Sequence, residues 1–410
     1  NLILYLLNNL YKRDFRRYPP NGDNFLNDNK FCYQKIFNKD KYYTYSWKKS
    51  GSVERFVYNM CKKELNWEQW YNLTIDKTNA KNSILFLSRT DDPQFPDLVK
   101  NRYVFSFKNG VYIAKNKFCK TTNRYLDMFY KYGTYPALDN NIVAVKYFDV
   151  EFDNYDNIKN WYDIPTPYLQ SILDYQYKGE QDYVDVCKWM YIFIGRMLYN
   201  VGELDDWQVI GFIKGIAGTG KGTILTKVIK QFYEPDDVGI LSNDGERQFG
   251  LSGFHDKIIY LAPEIKGDLN LPQAVFQGMI SGEDVVVPVK YQTPKSLIWT
   301  TPGFLAGNET PNYVDNSGSL SRRLLIWTFM KKVSKDKIDP KLGNKLKKEI
   351  SKIIKKSNLA YLEAVYKHGN ESIWNIIPKT FIYNQQELNQ ETNSLMNFLL
   401  SEQIVFGSDK

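Results

Sequence analysis

Three features of this 410-residue chain predict an α/β fold. First, the apolar run Val209-Ile210-Gly211-Phe212-Ile213 has the composition of a buried strand. Second, a glycine-rich turn, Gly215-Ile216-Ala217-Gly218-Thr219-Gly220-Lys221-Gly222-Thr223, follows it directly. Third, Ile224, Leu225, Val228, Ile229 and Phe232 then recur at a spacing that lines one face of a helix. Strand, turn and helix in that order set the class.

Composition bounds the rest. A chain of this length holds two or three domains with their own cores. Aromatic residues are abundant, with 31 Tyr and 24 Phe, and the formal net charge of +8 favours an anionic partner without naming it. No apolar run approaches the ~18 residues that cross a bilayer. Trp189-Met190-Tyr191-Ile192-Phe193-Ile194-Gly195 comes nearest and has the length of a core helix, so no membrane partner is expected. No secretory signal is visible. The chain begins at Asn1 rather than Met, so it is expected to be a piece of something longer. Cys32, Cys61, Cys119 and Cys187 are scattered without a C-x-x-C pair, and only His255 and His368 could join them. That pattern argues against zinc and for a reducing, intracellular setting.

Taken in order, residues 1–118 form a mixed α/β region. Leu2 to Leu7 is apolar, as at the end of a helix or strand. Phe31 to Trp47 interleaves lysines with tyrosines, a pattern able to stack on single-stranded nucleic acid. A general bias toward Tyr, Lys and Asn produces the same pattern and is the preferred reading. Arg102 to Ile113 alternates apolar and polar residues about Asn109-Gly110, a hairpin signal. Residues 119–205 turn helical. Pro165-Thr166-Pro167 opens one helix and a second runs from about Tyr183 to Tyr199, with an acidic link, Gly202 to Asp206, closing the region. Residues 206–330 form the core around the glycine turn. Residues 331–410 form a helical tail in which Leu342, Leu346, Ile350, Ile353 and Ile354 share one stripe beneath a lysine-rich, solvated face.

The glycine turn has the chemistry of a phosphate-binding loop. Its glycines let backbone N–H groups turn inward on phosphate oxygens, the helix N-terminus adds its positive end, and Lys221 reaches the β- and γ-phosphates. One position departs from G-x-x-x-x-G-K-[ST]: Gly222 stands where a hydroxyl normally holds Mg²⁺, leaving Thr223 to supply it directly or through water. Lys257 to Glu264 is a second buried strand ending in an acid, Glu264, which a P-loop ATPase needs to organise Mg²⁺ and the attacking water. Ser281-Gly282-Glu283-Asp284 introduces a strand or hairpin arm, Val285 to Tyr291, with Lys290 near its tip. Leu297 to Thr301 is expected as a third core strand leading toward Asn308. Arg322 and Arg323 precede a last strand, Leu324 to Trp327. They serve either as internal ion-pair partners or as a finger completing a neighbour's site.

Together, these segments resemble the superfamily 3 helicases of DNA viruses, and within them the poxvirus-type helicase-primases of large nucleocytoplasmic DNA viruses and their virophages. The likeness spans about Phe95 to Phe398. It implies an AAA+ P-loop core behind a helical collar, using ATP and Mg²⁺. Lys221 and Thr223 then match the Walker A motif and Glu264 the Walker B acid. Lys290 matches a DNA-contacting hairpin lysine, Asn308 the sensor (with Thr300 or Thr301 as alternatives), and Arg322 or Arg323 the arginine finger. The resemblance further implies a hexamer moving 3′-to-5′ on single-stranded DNA at a replication fork. Primase and polymerase would be partners, in host cytoplasm or nucleus at viral replication sites. Three departures stand out: Gly222, Pro263 in place of a second acid, and the seven residues from Thr301 to Gly307 before Asn308. Two other readings remain open. Gly-Lys-Gly-Thr also ends the loop of adenylate kinases, and a non-catalytic DNA-binding ring would tolerate both Gly222 and Pro263.

Overall fold

Asn109-Gly110 turns the chain between two antiparallel strands, β4 (Asn101–Phe107) and β5 (Gly110–Cys119), in the register Val104↔Ile113 and Ser106↔Val111. The computed structural model in which they are seen describes residues 2–12, 15–18, 31–52, 54–55, 68, 78, 81–83, 85–86, 98–134, 138–139, 142–242, 251, 257–267, 269, 271–287, 293–313 and 318–392. Those residues fall into two units, Asn1–Ile113 with Met128–Phe152 and Ala114–Asp127 with Asp153–Lys410.

In the first unit, helix α1 (Leu2–Lys12) precedes an antiparallel sheet of β1 (Phe15–Tyr18), β2 (Phe31–Phe37) and β3 (Tyr43–Ser52). Some of the aromatic residues of this stretch serve packing, while Phe37 and Tyr42 are exposed. Tyr33 and Trp47 are buried with Leu98 and Val143, and the Lys35 ammonium lies 5.0 Å from the Tyr43 ring centroid, a cation–π contact. A second sheet runs in the order β6 (Arg124–Lys131), β5, β4, β7 (Ala144–Phe148). Phe107 stacks on Phe148 at 5.2 Å and meets Phe152 at 4.9 Å, so aromatic rings fill this core.

In the second unit, Pro167 opens α2 (Pro167–Tyr177) at the position where a missing N–H costs nothing, and α3 (Tyr183–Arg196) follows. The centre is a five-stranded parallel sheet: β8 (Ile210–Gly215), β9 (Val238–Ile240), β10 (Ile259–Ile265), β13 (Gly303–Gly307) and β14 (Leu324–Phe329). Their order in space is β14-β8-β13-β10-β9, with every pairing parallel. Their C-terminal ends therefore share one edge. Between β10 and β13 lie α5 (Gln273–Ser281) and a two-stranded hairpin, β11 (Asp284–Val287) with β12 (Lys295–Ile298). The sheet core packs Phe212, Tyr260, Phe276, Met279, Trp299 and Leu305 together. The chain closes with α6 (Leu342–His368) and α7 (Lys379–Thr392).

Three expectations change here. The third core strand is Gly303–Gly307, while Lys295–Ile298, within the run expected to form it, instead pairs with β11. Its two glycines mimic a loop signal, but each sits where a side chain has no room. A Cβ on Gly303 would lie 2.1 Å from the Tyr260 ring. Gly303→Ala is therefore expected to cost about 1–3 kcal/mol, as overpacking does, measured by urea unfolding; wild-type stability in that variant would contradict this packing. Next, the lysine-rich face of α6 is not wholly solvated. Lys355 and Lys356 are 4% and 3% exposed. Lys355 pairs with Asp127, and Lys356 donates to the Ile164 carbonyl at 3.0 Å between the rings of Tyr162 and Tyr191. Burial pushes the Lys356 ammonium down to about 8. Last, residues 119–205, expected to turn helical, hold β6 and β7 before α2 and α3, because the sheet of the first unit takes its outer strands from this stretch. Asp205 of the acidic link is buried. Burial alone would raise its carboxyl, but bidentate Arg196, the Tyr361 hydroxyl and the Trp207 N–H more than offset this and hold it low.

Candidate active site

The β8 strand is buried except at Lys214 and ends in the glycine turn, so the turn emerges from the shared C-terminal edge of the sheet. Gly218 and Gly220 take φ of +80° and +97°, backbone conformations that a β-carbon strains. The helix α4 then begins at Lys221 and continues through Phe232 with α-, π- and 3₁₀-turns in succession. Ile224, Leu225, Val228, Ile229 and Phe232 are all fully buried, so the apolar stripe seats this helix against the sheet. A wide π-turn one turn into a helix is a common feature of functional sites.

Lys221 is 8% exposed and folds back on its own loop. Its ammonium donates to the Gly215 carbonyl, to the Ile216 carbonyl at 2.7 Å and to Asn308 Oδ1 at 2.9 Å. Three acceptors match the three N–H bonds of an ammonium. Burial lowers the Lys221 pKa, and the negative charge of Glu264 works against that fall. Glu264 is exposed near the end of β10, where a register shift interrupts pairing with β13 between Ala262 and Ile265. Asn308 follows β13 immediately and is exposed. Lys221, Glu264 and Asn308 thus gather at one edge, from three adjacent parallel strands.

Thr300 and Thr301 precede β13 and so stand at the opposite end of that strand. Thr301 is buried and donates to the Lys257 carbonyl at 3.1 Å. Of the two sensor alternatives, only Asn308 is beside the loop. Gly222 is an open position: a Cβ there would meet nothing within 4 Å. Gly222→Ser is accordingly expected to stabilise the fold by about 0.5 kcal/mol through helix propensity. A fall in the urea midpoint would show a constraint on that glycine.

The arginines separate. Arg323 is buried, donating to Ser281 Oγ at 3.1 Å and to the Ser319 carbonyl at 2.8 Å. Arg322 has an exposed side chain, while its backbone carbonyl accepts from Trp374 Nε1 at 3.0 Å. Both precede β14, whose register runs from Leu324↔Ile210 to Phe329↔Gly215. They therefore lie at the far edge, more than about 16 Å from the chain's own loop at ~3.3 Å of rise per strand residue. Lys290 lies outside the described residues; β11 and β12 on either side of it in sequence are paired. Among the described residues, Cys119 and Cys187 are free, and no group of three or more His, Cys, Asp or Glu could hold a metal by itself. None of the described helices is long and apolar enough to cross a membrane.

One set of residues carried no sequence signal. Gln176, buried near the end of α2, donates to the Thr219 carbonyl of the loop at 3.0 Å and to the Lys331 carbonyl at 2.7 Å, and accepts from the Lys331 N–H at 2.9 Å. The Val333 N–H donates to the Gly218 carbonyl at 2.9 Å. A lone glutamine in a helix gives no hint that its amide braces a loop over 40 residues away.

Two known families match parts of the chain. Residues 15–174 match a family described as D5 N terminal like. Residues 213–323, which run from the end of β8 through the arginine pair, match a family of unknown function (DUF5906). No curated protein matches the sequence. Among solved structures, the chain is similar to the apo A form of the NrS-1 C-terminal region, at 12% identity and a TM-score of 0.40, covering 71% of this chain and 72% of that one. It is also similar to the JCV helicase bound to a thiazolopyridinyl-phenoxyphenyl acetamide, at 14% identity and a TM-score of 0.30, covering 57% and 62%.

Proposed function

We propose that this chain is the ATP-driven motor of a viral DNA helicase, of the superfamily 3, AAA+ type, working as a ring of identical subunits on single-stranded DNA. The observation that carries this reading is the meeting of Lys221, Asn308 and Glu264 at one edge of a parallel sheet, with an exposed arginine at the other. A nucleotide held at the first edge of one subunit would be completed by Arg322 of the next. The match of residues 15–174 to the D5 N terminal like family supports the same assignment.

In this mechanism the loop N–H groups and the start of α4 receive the phosphates. Lys221 exchanges its carbonyl partners for β- and γ-phosphate oxygens, and Asn308, already within hydrogen-bond reach of Lys221, orients the γ-phosphate or the attacking water. Glu264 accepts a proton from that water or orients it. A magnesium ion fits the donor set: Glu264 is exposed near a strand end, and the partly exposed Thr223 opens α4, whose first turn packs against β10. When bound, the ion neutralises phosphate charge. Lys290, between β11 and β12 in sequence, would contact the DNA strand. The helices α2 and α3, within the 119–205 region, would act as the collar ahead of the core at 206–330, with α6 and α7 behind it.

Hydrolysis of ATP by the purified chain, with and without single-stranded DNA, tests the proposal. Stimulation by DNA is expected. Hydrolysis that responds to a nucleoside monophosphate and not to DNA would assign a kinase instead, and no hydrolysis at all would leave a non-catalytic ring.

A further inference from the structure

The loop does not hold its shape alone. Its apex is tied at Thr219 to Gln176 of α2 and at Gly218 to Val333, in the strap that leaves β14. Gln176 grips that strap as well, through both the N–H and the carbonyl of Lys331, and the neighbouring Tyr175 hydroxyl donates to the Lys332 carbonyl at 2.9 Å. Ile172, one turn earlier on α2, abuts the loop: a Cβ on Gly220 would stand 3.3 Å from its Cγ2. The other end of α2 is held too. Glu349 of α6 accepts from the Tyr168 and Leu169 N–H groups at 2.8 and 3.1 Å, capping the helix start with a carboxylate. One helix thus runs from a fixed carboxylate on α6 to the apex of the phosphate loop.

We infer that Gln176 is a positioning residue for nucleotide binding, setting the loop and the strap after β14 as one preformed unit through α2. A buried side-chain amide that satisfies two carbonyls and one N–H is costly to leave half-made, so the arrangement has one low-energy geometry. A loop held in its binding shape loses less entropy when phosphate arrives, and the gain appears as affinity. Motion of α2 would reach the loop by the same bonds. Gln176 touches no phosphate in this scheme. It acts through Thr219 and Lys331.

This inference rests on the nucleotide reading above, and its test separates the two. Binding of a fluorescent ATP analogue is measured for the unaltered chain, Gln176→Met, and Gln170→Met, alongside the melting temperature of each. Gln170 lies on the same helix but bonds Asp174 and Tyr191 rather than the loop, so its variant reports helix packing alone. Gln176→Met is expected to raise the dissociation constant about tenfold while Gln170→Met leaves it within about twofold, at similar losses of melting temperature. Equal weakening in both variants, or none in either, would overturn the positioning role. Absence of binding by the unaltered chain would overturn the nucleotide reading and this inference with it. Should Gln176→Met fail to fold, Tyr175→Phe removes only the hydroxyl on the strap. A two- to threefold weakening is expected there, about what one hydrogen bond supplies, and unchanged affinity would count against the inference.

Discussion

Lys221→Ala is expected to lower ATP hydrolysis by about 10²- to 10³-fold, the usual effect of removing one preorganised donor from developing transition-state charge. The geometry argues that the loss will be chemical rather than structural. The ammonium is bound only to the Gly215 and Ile216 carbonyls and to Asn308, all at the loop rim. The loop's own shape rests on other bonds: Thr219 Oγ1 to the Ile216 carbonyl at 2.9 Å, Gln176 to Thr219, and Val333 to Gly218. Removing a partly desolvated cation also removes the cost of burying it, since burial is what lowers its pKa. Unfolding stability should therefore stay within about 1 kcal/mol of the parent while hydrolysis collapses. Hydrolysis at the parent rate in a folded Lys221→Ala protein would remove this site from the chemistry. A fall in stability that tracks the fall in activity would mark Lys221 as a structural residue.

How legible the site was from sequence depended on how local its chemistry is. The phosphate loop was legible because strand, glycines, lysine and helix stripe are contiguous, and each carries its own backbone or burial constraint. Glu264 was legible because it closes an apolar run at a short distance downstream of a phosphate-binding loop, where an acid is expected. The strand Gly303–Gly307 was not, because its glycines answer to rings and carbonyls on the neighbouring strand, which no local pattern reveals. That misplacement hid the direct connection between β13 and Asn308, and with it the reason to prefer Asn308 over Thr301. The buried roles of Lys355 and Lys356 were hidden for the same reason: each charge is matched by a group far along the chain, Asp127 and Ile164 respectively. Gln176 is the extreme case, since its partners lie 43 and 155 residues away.

The pair Arg322-Arg323 gives the prediction with the greatest reach, because the two neighbours should fail in different ways. Arg323→Ala removes the partner of Ser281 Oγ and the Ser319 carbonyl from a buried position, at an expected cost of about 1–3 kcal/mol in stability. Arg322→Ala removes an exposed side chain, so stability should change by less than about 0.5 kcal/mol. Hydrolysis, in contrast, should fall by about 10³-fold or more, the effect of losing an arginine finger. The finger cannot serve its own subunit from the far edge of the sheet, so the deficit should be repairable between chains. In a mixture of Arg322→Ala and Lys221→Ala proteins, every interface that joins a sound loop from the first to a sound arginine from the second is complete. With equal amounts and random assembly, about one interface in four meets both conditions, so hydrolysis should recover to roughly a quarter of the parent rate if sites act independently. Neither protein alone should show it. A mixture that stays inactive at every ratio, while each protein still assembles, would rule out a finger supplied by the neighbouring subunit. Arg322 would then be a surface arginine, and the phosphate loop would have to manage its transition-state charge with Lys221 and Asn308 alone.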